Sequence, residues 1–137
     1  MINTVVMTKS YFESKEMHCQ TIEGKENLLL LNIKADNLEM KVLMDFTEDG
    51  KYVTIKIYNL CKFPADKIDQ MYKMCSELNR DYKWAKFYVD ESDNTITAQD
   101  DAIIQLDTCG AECYELSARL VLIVDEAYPK MMRTIWQ

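Results

Sequence analysis

The chain has 137 residues, 48% of them apolar and 28% charged, with a formal net charge of −7. That is the balance of a single globular domain able to bury about two-thirds of its unfolded surface, and it excludes an intrinsically disordered chain. The negative field repels phosphate backbones and anionic lipid surfaces, so neither nucleic acid nor membrane is expected as a partner.

Residues 3–18 carry Val5, Val6 and Phe12 on an apolar side, with Ile2 just before and Asn3 or Thr4 placed to cap, which predicts a first helix. From 28 to 60 the period changes to two. LLLLNIK opens the series. LEMKVLMDF follows, with Leu38, Met40, Val42, Met44 and Phe46 sharing a face, and then YVTIKIYNL, with Val53, Ile55 and Ile57 opposite Tyr52, Thr54, Lys56 and Tyr58. The joining segments ADN and TEDGK are rich in turn residues, so three antiparallel strands in a meander are expected.

Pro64 suits a first helical position, and Ile68, Met71, Tyr72, Cys75 and Leu78 recur on one helical face. Two more strands follow. Ala85, Phe87 and Val89 alternate, then come the turn ESDN and the pair Ile96 and Ala98, then Asp100–Asp101, which predict a bulge or an exposed strand end, and a second apolar set of Ala102, Ile104 and Leu106. A last helix begins after Asp107 or Thr108, with Cys113, Leu116, Leu120, Ile123 or Val124, and Ala127 on one stripe. Pro129 predicts a kink or short break near Tyr128. The order α-β-β-β-α-β-β-α describes an α+β domain over 1–137, a five-stranded antiparallel sheet with helices on one face.

The longest apolar runs, LLLL at 28–31 and LVLIV at 120–124, are far short of the roughly 20 residues of a bilayer-spanning helix. No basic stretch leading into an apolar segment opens the chain. Five cysteines, an odd number, argue for reduced thiols rather than a disulfide framework, and a cytoplasmic protein is expected.

LDTCGAECYEL at 106–116 places Cys109 and Cys113 four apart at the start of a helix. A zinc site wants about four nitrogen or sulfur ligands, and neither a CxxC pair nor a second histidine exists to complete one. Asp107, Glu112 and Glu115 would raise the thiol pKa, so packing is favoured, with a thiol-based redox sensor as the alternative. In VDESDNTITAQDD the sixth position from Asp90 is Thr95 and the twelfth Asp101, against the glycine and glutamate of a calcium loop, which leaves a solvated turn. His18 is the only histidine and cannot face the adjacent Cys19 on a helix, and the three glycines are isolated, so neither a nucleophilic pair nor a phosphate-cradling loop is expected. No catalytic, cofactor or metal residues are assigned. Nine methionines and eight tyrosines could mark an adaptable binding surface, although Met40, Met44, Met71 and Met74 are each better read as core.

The segments GKYVTIKIYNLCKFP (50–64), LNRDYKWAKFYVDESDNTITAQDDAII (78–104), LDTCG (106–110) and VDEAYPKMMRTIW (124–136) resemble the YbjN family of bacterial sensory-transduction regulators, strongly over 46–137 and by element order before that. The resemblance implies a fold similar to the type III secretion chaperones and a dimeric, non-enzymatic binding module, without catalytic residues. Chaperone activity would follow by fold-level analogy alone. Self-association is expected independently, because Tyr52, Tyr58, Leu60 and Tyr88 add bulk to the outer strand faces. A protein or peptide partner is expected, with basic partners favoured by the negative field.

Overall fold

Alternation of apolar and polar residues places one side of every long strand against the helices. The structure, a computed structural model, describes all of residues 1–137. Its elements are α1 (Asn3–Ser14), β1 (Gln20–Ile22), β2 (Lys25–Lys34), β3 (Glu39–Phe46), β4 (Tyr52–Ile57), a 3-10 turn (Ala65–Lys67), α2 (Ile68–Asp81), β5 (Lys86–Asp90), β6 (Thr95–Ile103) and α3 (Cys109–Trp136). The sheet is antiparallel throughout, in the order β1-β2-β3-β4-β6-β5.

Six strands form where five are expected. β1 is three exposed residues whose register with β2 is irregular, so no alternation marks it in the sequence. Gly24, at φ +77, makes the turn that folds it back on β2, a backbone conformation glycine adopts freely. The first helix stops at Ser14, short of the predicted 18, and neither Asn3 nor Thr4 caps it. Thr4 instead donates its hydroxyl to the Gly50 carbonyl at 2.8 Å, tying the start of α1 to the β3–β4 turn. Thr108 also does not cap α3; its hydroxyl goes to Glu112 at 2.6 Å.

The inner face holds Leu29 and Leu31 of β2, Met40, Val42, Met44 and Phe46 of β3, Val53, Ile55 and Ile57 of β4, and Ile96 and Ala98 of β6, all buried. Met71 and Met74 are buried as well, so these four methionines are core. Tyr72, assigned to the buried stripe of α2, lies exposed, and Met74 takes the inward place. Leu60, expected on the outer face, is buried, because its N–H bonds the Ile96 carbonyl and folds the segment after β4 over the end of β6. No bulge interrupts Asp100–Asp101. β6 pairs with β4 through both, which aims Asp100 inward beside Ile55 and Asp101 outward to the Thr54 hydroxyl at 2.7 Å.

The free edge of β5 is stopped by a side chain. Asn79 of α2 accepts the Phe87 N–H at 2.7 Å and donates to the Phe87 carbonyl at 3.0 Å. An unpaired strand edge invites another chain, and this amide occupies the groups that a newcomer would use. Asn79→Ala should cost about 1–3 kcal/mol through two orphaned backbone groups and produce concentration-dependent association. Urea unfolding together with light scattering over a dilution series checks both effects; an unchanged midpoint would show that the amide is decorative.

Candidate functional site

Three elements far apart in the sequence meet around a groove. The end of α1 supplies Phe12, the segment after it Met17, β2 Leu31 and Ile33, and α3 Tyr114, Ser117, Ala118, Val121 and Leu122, enclosing about 300 Å³. Eight of the nine lining residues are hydrophobic, which gives an occupant apolar contact at nearly every point. Phe12 is fully buried and props the Tyr114 ring at 5.6 Å between centroids, while Tyr11 meets the same ring edge-on at 5.9 Å. Such pairs hold aromatic walls in fixed orientation. Leu122 stands on the rim at 69% exposure, with no burial of its own to explain it.

The groove continues into a second depression of about 450 Å³, lined by Glu16, Met17, His18, Gln20 and the end of β2 from Leu31 to Lys34. Met17, Leu31 and Ile33 belong to both. The reason is register: β1 pairs with β2 only as far as Gln20↔Leu30, so residues 31–34 have no strand neighbour on that side. Apolar sockets and free backbone groups therefore lie side by side, the two things an extended or amphipathic segment needs. This is opposite to the situation at β5, where Asn79 closes the edge.

Cys109 and Cys113 do come together, but as core. Both are fully buried. The Cys109 thiol donates weakly to the carbonyls of Leu106 at 3.5 Å and Thr4 at 3.6 Å. Burial pushes the Cys113 thiol up to about 12, with the Thr8 hydroxyl opposing and Cys109 and Glu112 adding to the rise. A sealed thiol held protonated is a poor nucleophile, so the thiol-sensor reading finds no support. The other three cysteines are also buried and unpaired, and burial raises each of them too, to about 11 for Cys19 and Cys61 and about 12 for Cys75. His18 is exposed at the second depression, while the neighbouring Cys19 is fully buried. No three His, Cys, Asp or Glu side chains converge in a metal-holding arrangement. The residues 90–95 close on themselves: Ser92 bonds the Asp90 carboxylate through its N–H and hydroxyl, and Thr95 bonds Asp93, as in a solvated turn.

Sequence reasoning did not find the groove. Its α1 and α3 contributions lie more than a hundred residues apart, with that of β2 between them, and each looks like ordinary core. The one signal available is Leu122, an apolar residue beside, rather than on, the stripe that α3 buries.

No helix is long and apolar enough to cross a membrane. The family model for YbjN, described as "Putative bacterial sensory transduction regulator", matches residues 19–111. No curated protein matches the chain in sequence. Among solved structures, YbjN from E. coli is similar with a TM-score of 0.65 at 9% identity, covering 93% of this chain and 92% of that one. A chain of the ExsC–ExsE complex is similar with a TM-score of 0.59 at 11% identity, covering 91% and 90%. A chain of the heterodimeric ExoU–SpcU complex from the type III secretion system of Pseudomonas aeruginosa gives 0.52 at 12%, covering 93% and 96%. A chain of the HopA1–SchA chaperone–effector complex gives 0.54 at 12%, covering 89% and 91%. At these identities the likeness is one of fold.

Proposed function

The chain belongs to the YbjN family, and from that premise we propose a non-enzymatic, cytoplasmic regulatory module that binds a polypeptide in the groove between α1, β2 and α3. The observation that carries this reading is the continuity of an apolar groove with an unpaired stretch of β2. Three of the similar folds were solved in complexes named for two proteins, one of them a chaperone and its effector. Their likeness supports a polypeptide over a small molecule as the occupant. The segment that fits has bulky apolar residues spaced to enter the groove and enough extended backbone to lie along residues 31–34. Glu16 and Lys34 offset each other at the second depression, so it is the net charge of −7 that favours a basic segment, with association that slows as salt rises.

Leu122→Glu tests it. The side chain is largely exposed, so the fold should lose less than about 0.5 kcal/mol, whereas a charge on the rim of an apolar groove should weaken partner binding at least about tenfold, or about 1.4 kcal/mol. Tyr72→Glu, on the exposed side of α2 and away from both the groove and the open sheet face, serves as the control and should bind normally. Affinity capture from the native host with all three proteins, at low and high salt, gives the comparison. A polypeptide retained equally by the Leu122 variant would end the groove reading.

The open sheet face presents Tyr52, Tyr58 and Ile103 to solvent. We take this as support for a homodimer through that face. Light scattering at micromolar concentration should then return about twice the 16.1 kDa of one chain, and a constant single-chain mass would contradict it.

A further inference from the structure

Pro129 sits in the interior of α3, yet the helix runs unbroken from Cys109 to Trp136. Proline has no N–H, so the carbonyl four residues earlier, that of Asp125, loses its helical donor, and the ring pushes that carbonyl outward. In this structure the vacancy is filled from 88 positions away: the Asn37 side-chain amide donates to the Asp125 carbonyl at 2.9 Å, while the Asn37 backbone N–H donates to the Asp125 carboxylate at 2.7 Å. Asn37 lies in the turn between β2 and β3, which closes on itself through the Ala35 N–H and the Leu38 carbonyl at 3.0 Å. Asp125 stands one helical turn past Val121, at the end of the groove, and Ile33 leads straight into the same turn.

We propose that Pro129 is a positioning residue that latches the β2–β3 turn onto α3, and that this latch sets where the binding groove ends. No break follows Pro129, and the carbonyl it orphans finds its donor in the docked turn. With the latch made, Ile33 and Leu122 are the last apolar residues an occupant meets. Released, the turn lifts from α3 and the groove lengthens along the helix, so the latch regulates the same site. Its role in partner binding rests on the polypeptide reading above; the latch itself does not.

The experiment compares the full chain with Asn37→Ala, Pro129→Ala and the double variant, by hydrogen exchange at the amides of Ala35 and Asn37. Alanine at 129 supplies the missing donor and draws the Asp125 carbonyl back into the helix, so it should release the turn without touching it. Either single variant should speed exchange about tenfold, the factor expected for loss of a hydrogen bond of ordinary net strength, and the double variant should be no faster than the faster single. An unchanged rate in Pro129→Ala, or factors that multiply in the double variant, would overturn the latch. Binding of the dye Nile red, an apolar probe for the groove, should tighten several-fold in both single variants. Faster exchange with unchanged dye affinity would overturn the link between latch and groove. If Leu122→Glu leaves polypeptide capture intact while exchange and dye binding behave as described, the assignment of the polypeptide to the groove fails and the latch stands.

Discussion

Gly110→Ala should lower the melting temperature by about 10 °C. Gly110 is the second residue of α3 and lies directly against α1: a Cβ there would sit 2.4 Å from the Tyr11 Cβ and 2.7 Å from its Cγ. Carbon atoms rest at about 3.5–4.0 Å, so the two helices must part by more than about 1 Å, and neither the Cβ nor the Cγ of Tyr11 is the free end of a flexible side chain. Separation would loosen the Tyr11–Tyr114–Phe12 aromatic set and the Cys109 contact with Thr4 at once. A cost of about 3 kcal/mol is in the range of overpacked cores, and for a chain of this size about 3–4 °C accompanies each kcal/mol. The sign is diagnostic, because alanine for glycine inside a helix ordinarily stabilises by up to about 1 kcal/mol. Thermal melting followed by circular dichroism decides it, and an unchanged or higher midpoint would show that α1 and α3 are not in this close contact.

Asp100→Asn should stabilise the protein at pH 8. The Asp100 carboxyl faces the helices from β6, beside Ile55, and one of its oxygens is sealed from solvent with no hydrogen-bond partner. Burial pushes its pKa up to about 7; the neighbouring Asp101 adds to the rise and Lys86 opposes it. The unfolded value is near 3.9, so the folded state holds a proton that the unfolded state has released. Its contribution to stability is therefore fully present below about pH 4 and is lost as pH climbs through about 7. Above that point an unpaired half-buried charge remains, worth about 1–2 kcal/mol of destabilisation. Asparagine keeps the shape without the charge. Urea midpoints of wild type and variant should nearly coincide at pH 4 and separate at pH 8 with the variant higher. A variant less stable at both pH values would mean that the carboxylate has a partner after all.

The inward aspartate also explains what sequence pattern could and could not reveal. Period-two alternation located the long strands, and even Asp100 obeys it, falling between Ala98 and Ala102 on the inner face. The doubled aspartate looked like an interruption because charge was weighed above period. β1 escaped notice because three exposed residues with an irregular register carry no alternation. The stripe of α3 is legible from its apolar spacing and its start from the polar pair Asp107–Thr108, although the Thr108 hydroxyl does not cap it, and the acidic neighbours and lack of further ligands that favour packing of the thiol pair are visible in LDTCGAECYEL. The consequence of Pro129 was not legible. The donor that compensates it comes from a turn 88 residues away, and nothing local announces it. The groove was hidden for the same reason, being a property of α1, β2 and α3 together.

The most direct test of the polypeptide reading is hydrogen exchange of the full chain with and without its captured partner. The partner should slow exchange at residues 31–34 and along 114–122, and leave the β5 edge at Phe87 as it was. Protection confined to the β5 edge or to the open face around Tyr52 and Tyr58, with residues 31–34 exchanging at their free rate, would contradict the assignment of the groove as the binding site.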